Sequence, residues 1–312
     1  MAIEYCREAA KIASAFGLDE INAITESCLT QVYMVAGQLR EAVEAGERAL
    51  ASFESRDNRW WAGRTLWFLT SVANYLGDWD ASLNYCRRGL DHGIALQDLR
   101  LKVVGWTRMG SAYTQRGDTV RGVECCDEAL ALGPLARDAE WARVVRGYGK
   151  IKAGQLDDGI TALRDALAWF ESSHMRWTYV IGAVWLAEGH LCGGDHAAAL
   201  PLIEYVLETS RATGYPQYEG RACWLMAECL AAEAPASAES YADNAIRIFE
   251  QVGARNDLAR ALVTRAALHQ NASEAETARQ LFDKARAMFQ ALGTRGEFAR
   301  IDAALAALSA GS

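Results

Sequence analysis

Proline is scarce, four residues in 312, so few points exist at which a helix is forced to break, and no run of about eighteen apolar residues offers a membrane span. The opening stretch, MAIEYCREAAKI, carries charge at Glu4, Arg7 and Glu8, where a secretory leader needs an apolar centre. Basic residues are also short: 32 Lys and Arg against 40 Asp and Glu leave a formal net charge of -8. That balance lacks the basic surface with which a protein displaces counterions from a polyanion. These absences point to a cytoplasmic protein with neither a membrane nor a nucleic acid as direct partner.

Catalytic signatures are missing as well. No G-x-x-x-x-G-K-[ST] phosphate loop occurs, and its nearest match, Gly147-Tyr148-Gly149-Lys150, lacks the upstream glycine. There is no G-x-S-x-G elbow and no H-E-x-x-H, and the five histidines are scattered. Acidic pairs such as Asp157-Asp158 stand at turns, where they can cap the following helix. One cluster has metal-ligating residue types, His190-x-Cys192-x-x-x-His196, but it offers only three ligands and no C-x-x-C partner. The eight cysteines, Cys125 and Cys126 adjacent among them, lie on helical stretches of a chain large enough to need no staples, which favours reduced thiols packed as small hydrophobes. The chain therefore reads as a non-enzyme that needs no metal or other cofactor.

What is present is a helix-forming composition, 51% hydrophobic and 23% charged, arranged in a repeat. The segments AGQLREAVEAGERAL, LGDWDASLNYCRRGL, RGDTVRGVECCDEAL, AGQLDDGITALRDAL and GGDHAAALPLIEYVL align without gaps, and their glycines Gly37, Gly77, Gly117, Gly154 and Gly194 step by 40, 40, 37 and 40. Two weaker copies follow, with Glu233 and Ser273 in the glycine's place. Five residues after each anchor stands a small side chain: Ala42, Ser82, Gly122, Gly159, Ala199, Ala238 and Ala278. Twelve after it stand Ala49, Gly89, Ala129, Ala166, Val206, Ala245 and Ala285.

A helical hairpin explains the pattern. A residue with positive φ ends the first helix, a short polar turn follows, and small side chains on the second helix let the two backbones approach. No hairpin can bury its apolar face alone, so neighbours must stack. The expected fold is all-α. It has a partial repeat over 1–20, seven hairpins at about 21–58, 59–98, 99–138, 139–176, 177–216, 217–255 and 256–295, and a capping helix over 296–308. Tyr5-Cys6-Arg7-Glu8-Ala9 aligns with Tyr85-Cys86-Arg87-Arg88-Gly89 two repeats on, so the chain opens in a second-type helix, as a piece of something longer would. The small, polar tail Ser309 to Ser312 follows the cap.

The G-(D/Q)-x-x-x-A motif with a small residue seven positions later resembles the tetratricopeptide repeat over nearly the whole chain. Tyr33 and Tyr113 meet that family's preference four places before the anchor, whereas Ala73, Lys150 and Cys229 depart from it. The period near 40 exceeds the family's usual 34 and suits a HEAT or armadillo array, which fits the Gly-Asp turn and the small-residue register worse. The resemblance implies a right-handed α-solenoid in which the first helix of each pair lines a concave groove. Between Trp141 and Leu230, VVRGYGKIKAGQLDDGITALRDALAWF and LAEGHLCGGDHAAALPLIEYVLETSRATGYPQYEGRACWLMAECL resemble the C-terminal repeat region of bacterial signalling ATPases, nucleotide cyclases and large transcriptional activators. That likeness implies a sensor or regulatory arm.

Eight of the ten tryptophans fall in first-helix segments, interleaved with arginines such as Arg59, Arg64, Arg100, Arg108, Arg143, Arg146, Arg176 and Arg221. Trp and Arg dominate binding hot spots, and arginine can fork onto a carboxylate, so an acidic or carboxylate-ended ligand suits them. Tryptophans at helical spacing also serve as hairpin core. By the family's register the groove positions are Arg64, Trp67, Ser71 and Asn74, then Val104, Thr107, Ser111 and Thr114, then Trp141, Val144, Tyr148 and Ile151. The candidate site is accordingly Trp60, Arg64, Trp67, Ser71, Asn74, Arg108, Ser111, Trp141 and Tyr148. The expected occupant is a protein or peptide partner in an open groove. A small-molecule inducer is the alternative if Trp60, Trp67, Trp106 and Trp141 ring a deep cavity. A homo-oligomer formed through exposed apolar end faces is a third possibility.

Overall fold

The computed structural model of the chain describes residues 2–310; Met1, and Gly311 and Ser312 of the polar tail, lie outside the described residues. Among the described residues there are sixteen α-helices and no strand. After α1 (Ala2–Ala15), the helices pair as α2 (Asp19–Val35) with α3 (Leu39–Ser55), α4 (Arg59–Leu76) with α5 (Trp79–Ala95), α6 (Leu99–Arg116) with α7 (Thr119–Ala131), and α8 (Ala136–Lys152) with α9 (Leu156–Ser172). The series continues with α10 (Arg176–Cys192) and α11 (His196–Thr213), α12 (Pro216–Leu230) and α13 (Pro235–Val252), α14 (Arg255–Asn271) and α15 (Ala275–Leu292), and ends in α16 (Phe298–Ala310). The architecture is an α-solenoid of tetratricopeptide-like hairpins.

The period of 40 is two units of 20. Left-handed residues at Gly17, Gly37, Asp57, Gly77, Gln97 and Gly117 follow one another at that spacing, so the turns between hairpins are as tight as the turns within them. Ser273 holds the lost glycine's place at φ +63°, at the modest cost that a Cβ imposes there. The helix after a turn starts on a side-chain cap in several repeats: Asp78, Asp98, Asp118 and Asp195 each accept a hydrogen bond from a backbone N–H three residues on. Asp157 and Asp158 do not cap. Gln155 precedes α9 without a side-chain hydrogen bond, and both aspartates lie in the first helical turn, where their charge complements the positive end of the helix dipole.

The small residues pack as the hairpin argument requires. Ala42, Ser82, Ala199, Ala238 and Ala278 are fully buried, and so are Ala49, Ala129, Ala166, Val206, Ala245 and Ala285 in the second row. At Gly122 and Gly159 the paired helices leave no room for a Cβ. A Cβ on Gly159 would stand 2.6 Å from the Gly147 carbonyl oxygen and 2.9 Å from the Ile151 nitrogen, both backbone atoms that cannot swing aside. All eight cysteines are free thiols, and burial pushes Cys86 up to about 11 and Cys125 to about 12, leaving them unreactive.

The solenoid curves until its first half meets its second. The turn at Gly37 abuts Pro216, that at Gly77 abuts Asn256 and Leu292, and that at Gly117 abuts Gly296. Polar contacts seal the seam. The Gln217 amide donates to the Met34 carbonyl at 2.5 Å, and the Trp79 indole N–H donates to Thr294 Oγ1, which donates to Asn256 Oδ1, each at 2.9 Å. The Arg295 backbone N–H reaches the Arg116 carbonyl at 2.8 Å.

The tight approach at Gly159 gives a direct test. Gly159→Ala is expected to lose about 1–3 kcal/mol through overpacking despite its better helix propensity. Gly193→Ala, whose Cβ meets nothing nearer than 3.5 Å, is expected to change stability by no more than about 0.5 kcal/mol. Denaturant midpoints of the two variants check this, and equal midpoints would remove close backbone approach as the reason for the small-residue register.

Candidate functional site

The closed superhelix leaves a cavity of about 800 Å³ on its inner side, walled in turn by α2, α4, α6, α8, α10 and α12. Each first-type helix contributes one face. On α4 the row is Trp60, Arg64, Phe68, Ser71 and Tyr75; forty residues later on α6 it is Arg100, Val104, Arg108, Ser111 and Gln115. The row resumes as Arg137 and Trp141 on α8 and as Trp177, Ile181 and Trp185 on α10. The leading members, Trp60, Arg100, Arg137 and Trp177, step by 40, 37 and 40, as the turn glycines do.

Eight of the nine residues singled out from the sequence line this one cavity: Trp60, Arg64, Trp67, Ser71, Asn74, Arg108, Ser111 and Trp141. Tyr148 does not. It is buried behind the wall, with its ring stacked on Trp185 at 4.6 Å between centroids and its hydroxyl donating to Glu188 Oε2 at 3.0 Å. Thr107 and Thr114 on α6, and Val144 and Ile151 on α8, are buried in helix packing. Trp106 packs between hairpins, so the tryptophans of the lining are Trp60, Trp67 and Trp141 joined by Trp177 and Trp185. The remaining lining comes from further off. Tyr215 and Tyr218 enter from the far side of the ring, and both hydroxyls meet that of Tyr75, at 3.0 and 3.2 Å. Trp177 stacks on Tyr215 at 4.0 Å, and Trp141 on Trp185 at 5.8 Å.

Charge in the cavity is one-sided. Six arginines line it, against a single carboxylate, Asp138, which takes Arg100 at 3.2 Å and Arg137 at 3.3 Å. Arg221 lies within 5.3 Å of the Tyr218 ring and pairs with Asp257 at 2.8 Å. Burial works against its charge, but that carboxylate outweighs the burial and holds its pKa up. Arg64 lies over the rings of Trp60 and Trp61 at 5.7 and 5.1 Å.

Beyond the cavity floor the same helical faces close in a buried ion network. Glu188 on α10 receives Lys152 of α8 at 3.2 Å, Arg260 of α14, and the Tyr148 hydroxyl; Glu297 accepts from Lys152 and Arg260 at 3.5 Å each. Burial alone would raise Glu188, but Arg260 and Lys152 outweigh it and hold the carboxyl at about 2. Burial and the adjacent Glu188 push Tyr148 up to about 12. Arg260 also caps the Trp224 ring at 4.1 Å. The His190 and His196 rings are engaged elsewhere, on Asp195 and on the Cys229 carbonyl, and no group of three or more metal-ligating side chains gathers among the described residues. No helix among the described residues is long and apolar enough to cross a membrane.

No family model and no curated protein matches the chain. Solved structures do. A Rap protein complexed with competence and sporulation factor superposes with a TM-score of 0.70 at 13% identity, covering 88% of this chain and 76% of that one. The apo form of RapI gives 0.60 at 12% identity, covering 86% and 98%. Aspartyl phosphate phosphatase F from Bacillus subtilis gives 0.61 at 13%, covering 91% and 75%. At such identities the likeness is one of fold.

The network predicts an acid transition. A carboxylate held below its ordinary 4.5 stabilises the fold fully above that value, and the stabilisation is lost as pH falls through about 2. Glu188→Gln is expected to cost about 3 kcal/mol at pH 7, since it leaves Lys152 and Arg260 undercompensated, and progressively less toward pH 2. Urea midpoints across that range check it. A pH-independent difference between variant and wild type would remove the ionised network as the stabilising element.

Proposed function

We propose that the chain is a non-catalytic repeat receptor that binds a short peptide inside its curved solenoid. The observation that carries this reading is the closed ring itself. A long partner laid along an open groove would need the space that Tyr75, Tyr215 and Tyr218 occupy where the two halves meet. A cavity of about 800 Å³ lies within the range of sites that enclose a small ligand, and its lining of aromatic faces with a few placed polar groups is the usual one. Among the proteins of similar fold, one is complexed with competence and sporulation factor, which agrees with ligand binding by a solenoid of this shape.

Two finer readings accompany it. The resemblance of residues 141–230 to the repeat regions of bacterial signalling ATPases, cyclases and activators supports a regulatory arm that acts in the cytoplasm on a neighbouring effector. The ring of Trp60, Trp67, Trp141, Trp177 and Trp185 favours, as a second reading, a small-molecule inducer in the same cavity.

Affinity selection separates them. The purified chain is incubated with a pool of random pentapeptides and, separately, with a bacterial small-metabolite extract; complexes are isolated by size exclusion, and the bound species are identified by mass spectrometry. Peptides are expected to be retained, and Trp67→Ala is expected to weaken the retained ones by roughly thirtyfold, the effect of removing a central aromatic anchor. Retention of a metabolite and no peptide would replace the first reading with the second. Undiminished binding by Trp67→Ala would move the site out of the cavity.

A further inference from the structure

Arginines elsewhere in the interior are matched with carboxylates: Arg221 with Asp257, and Arg260 with Glu188 and Glu297. Arg108 is not. Its one hydrogen bond goes to the Ser71 hydroxyl, and its Nε is buried without a partner. No ion pair reaches it among the described residues, nor does one reach Arg64 or Arg176, which line the same cavity. Burial lowers its pKa, and the nearby titratable groups are Cys86, Tyr75, Tyr218 and Tyr215. Cys86, pushed up to about 11, and the two tyrosines raised well above 10 are neutral at pH 7 and compensate nothing. On the adjoining helix, the indole N–H of Trp67 is likewise buried without an acceptor. Both residues line the same aromatic cavity, and each unspent donor carries the full cost of desolvation unless something accepts from it.

We infer that the cavity is an anion receptor, in which the Arg108 guanidinium forks onto the carboxylate of the ligand while the aromatic lining holds its apolar part. The inference rests on the reading of the cavity as a ligand site, and it adds the chemistry of what enters. Ser71 holds one arm of the guanidinium and so fixes its plane at the cavity wall, while the buried Nε is left without a protein acceptor. Arg64 and Arg176 add positive potential without being consumed by protein carboxylates, whereas Arg100 and Arg137 share the one carboxylate of Asp138. In a peptide the carboxylate would be the C-terminus or an acidic side chain; in a metabolite it would be a carboxylic acid beside a ring.

Acid and amide pairs test the claim because they match in size and differ only at the group Arg108 would meet, a charged carboxylate with two acceptor oxygens against a neutral amide with one. Isothermal calorimetry compares 3-phenylpropionate with 3-phenylpropionamide, and a free-acid pentapeptide pool, acidic side chains excluded, is compared with its C-terminally amidated twin by size exclusion and mass spectrometry. The wild-type chain is expected to favour the acid in both pairs by roughly ten- to a hundredfold, the range of a charge-assisted hydrogen bond. Arg108→Met is expected to abolish that preference while its circular dichroism and melting stay like those of the wild type. Arg108→Lys, which keeps the charge and loses the fork, is expected to recover only part of it. If acid and amide bind equally, the anion inference fails and the peptide reading stands. If phenylpropionate is preferred and no peptide of either pool is retained, the inference stands and the peptide reading fails. If neither acid binds, or if Arg108→Met keeps the preference, Arg108 is no anchor. Should Arg108→Met unfold, Ser71→Ala, which frees the guanidinium without removing it, is expected to reduce the acid preference several-fold, and an unchanged preference in that variant overturns the inference.

Discussion

Everything inside this molecule depends on the seam where the solenoid meets itself. A helical-hairpin array is held by contacts between neighbours, and nothing in such nearest-neighbour packing requires its ends to touch. Here the curvature brings the turns after α2, α4 and α6 onto the turns before α12, α14 and α16, and the joint is made of buried polar contacts with specific partners. Trp79, Thr294 and Asn256 form one chain of donors and acceptors; Gln217 and the Met34 carbonyl form another. Buried donors of this kind are costly when unpaired, so a slipped or opened seam carries a penalty that a purely apolar seam would not. The joint thereby selects one curvature and converts a groove into a cavity.

The same closure divides the inner surface into two electrostatic zones. On the floor, Glu188 and Glu297 meet Lys152 and Arg260 in near balance, and burial strengthens the pairing because each charge has its counterpart. In the cavity above it the arginines outnumber the carboxylates, although the chain as a whole is at -8. Low-dielectric walls focus such a local excess, and an acidic exterior opposes non-specific binding of polyanions. A local excess of arginine inside an acidic chain is the charge distribution that the proposed anionic ligand requires.

The fold was legible in the sequence because its determinants are local. A turn glycine about every 40 positions in the first five repeats and two rows of small side chains specify hairpins without reference to anything distant. Much of the cavity was legible for the same reason: a residue's place in the repeat decides which way it faces, and Trp60, Arg64, Trp67, Ser71 and Asn74 share one helix face. The facing row on α6 runs through Arg100, Val104, Arg108, Ser111 and Gln115, so the family's register misplaces Thr107 and Thr114 by one position. The signal that could have corrected it is the recurrence of Trp or Arg at Trp60, Arg100, Arg137 and Trp177 at the repeat spacing.

What the sequence withheld is curvature, which accumulates from small rotations between repeats and has no motif of its own. Tyr148 shows the consequence. It stands at the same repeat position as Ser71 and Ser111, yet those two face the cavity and it does not, because Glu188 of α10 and Arg260 of α14 converge with Lys152 over α8. Tyr215 shows the converse, brought to Tyr75 across 140 residues by the turn of the whole superhelix. A site on a solenoid is therefore half local and half global. Repeat register decides which residues could reach the inner face, and only closure decides which of them are left with an unpaired donor, as Arg108 and Trp67 are.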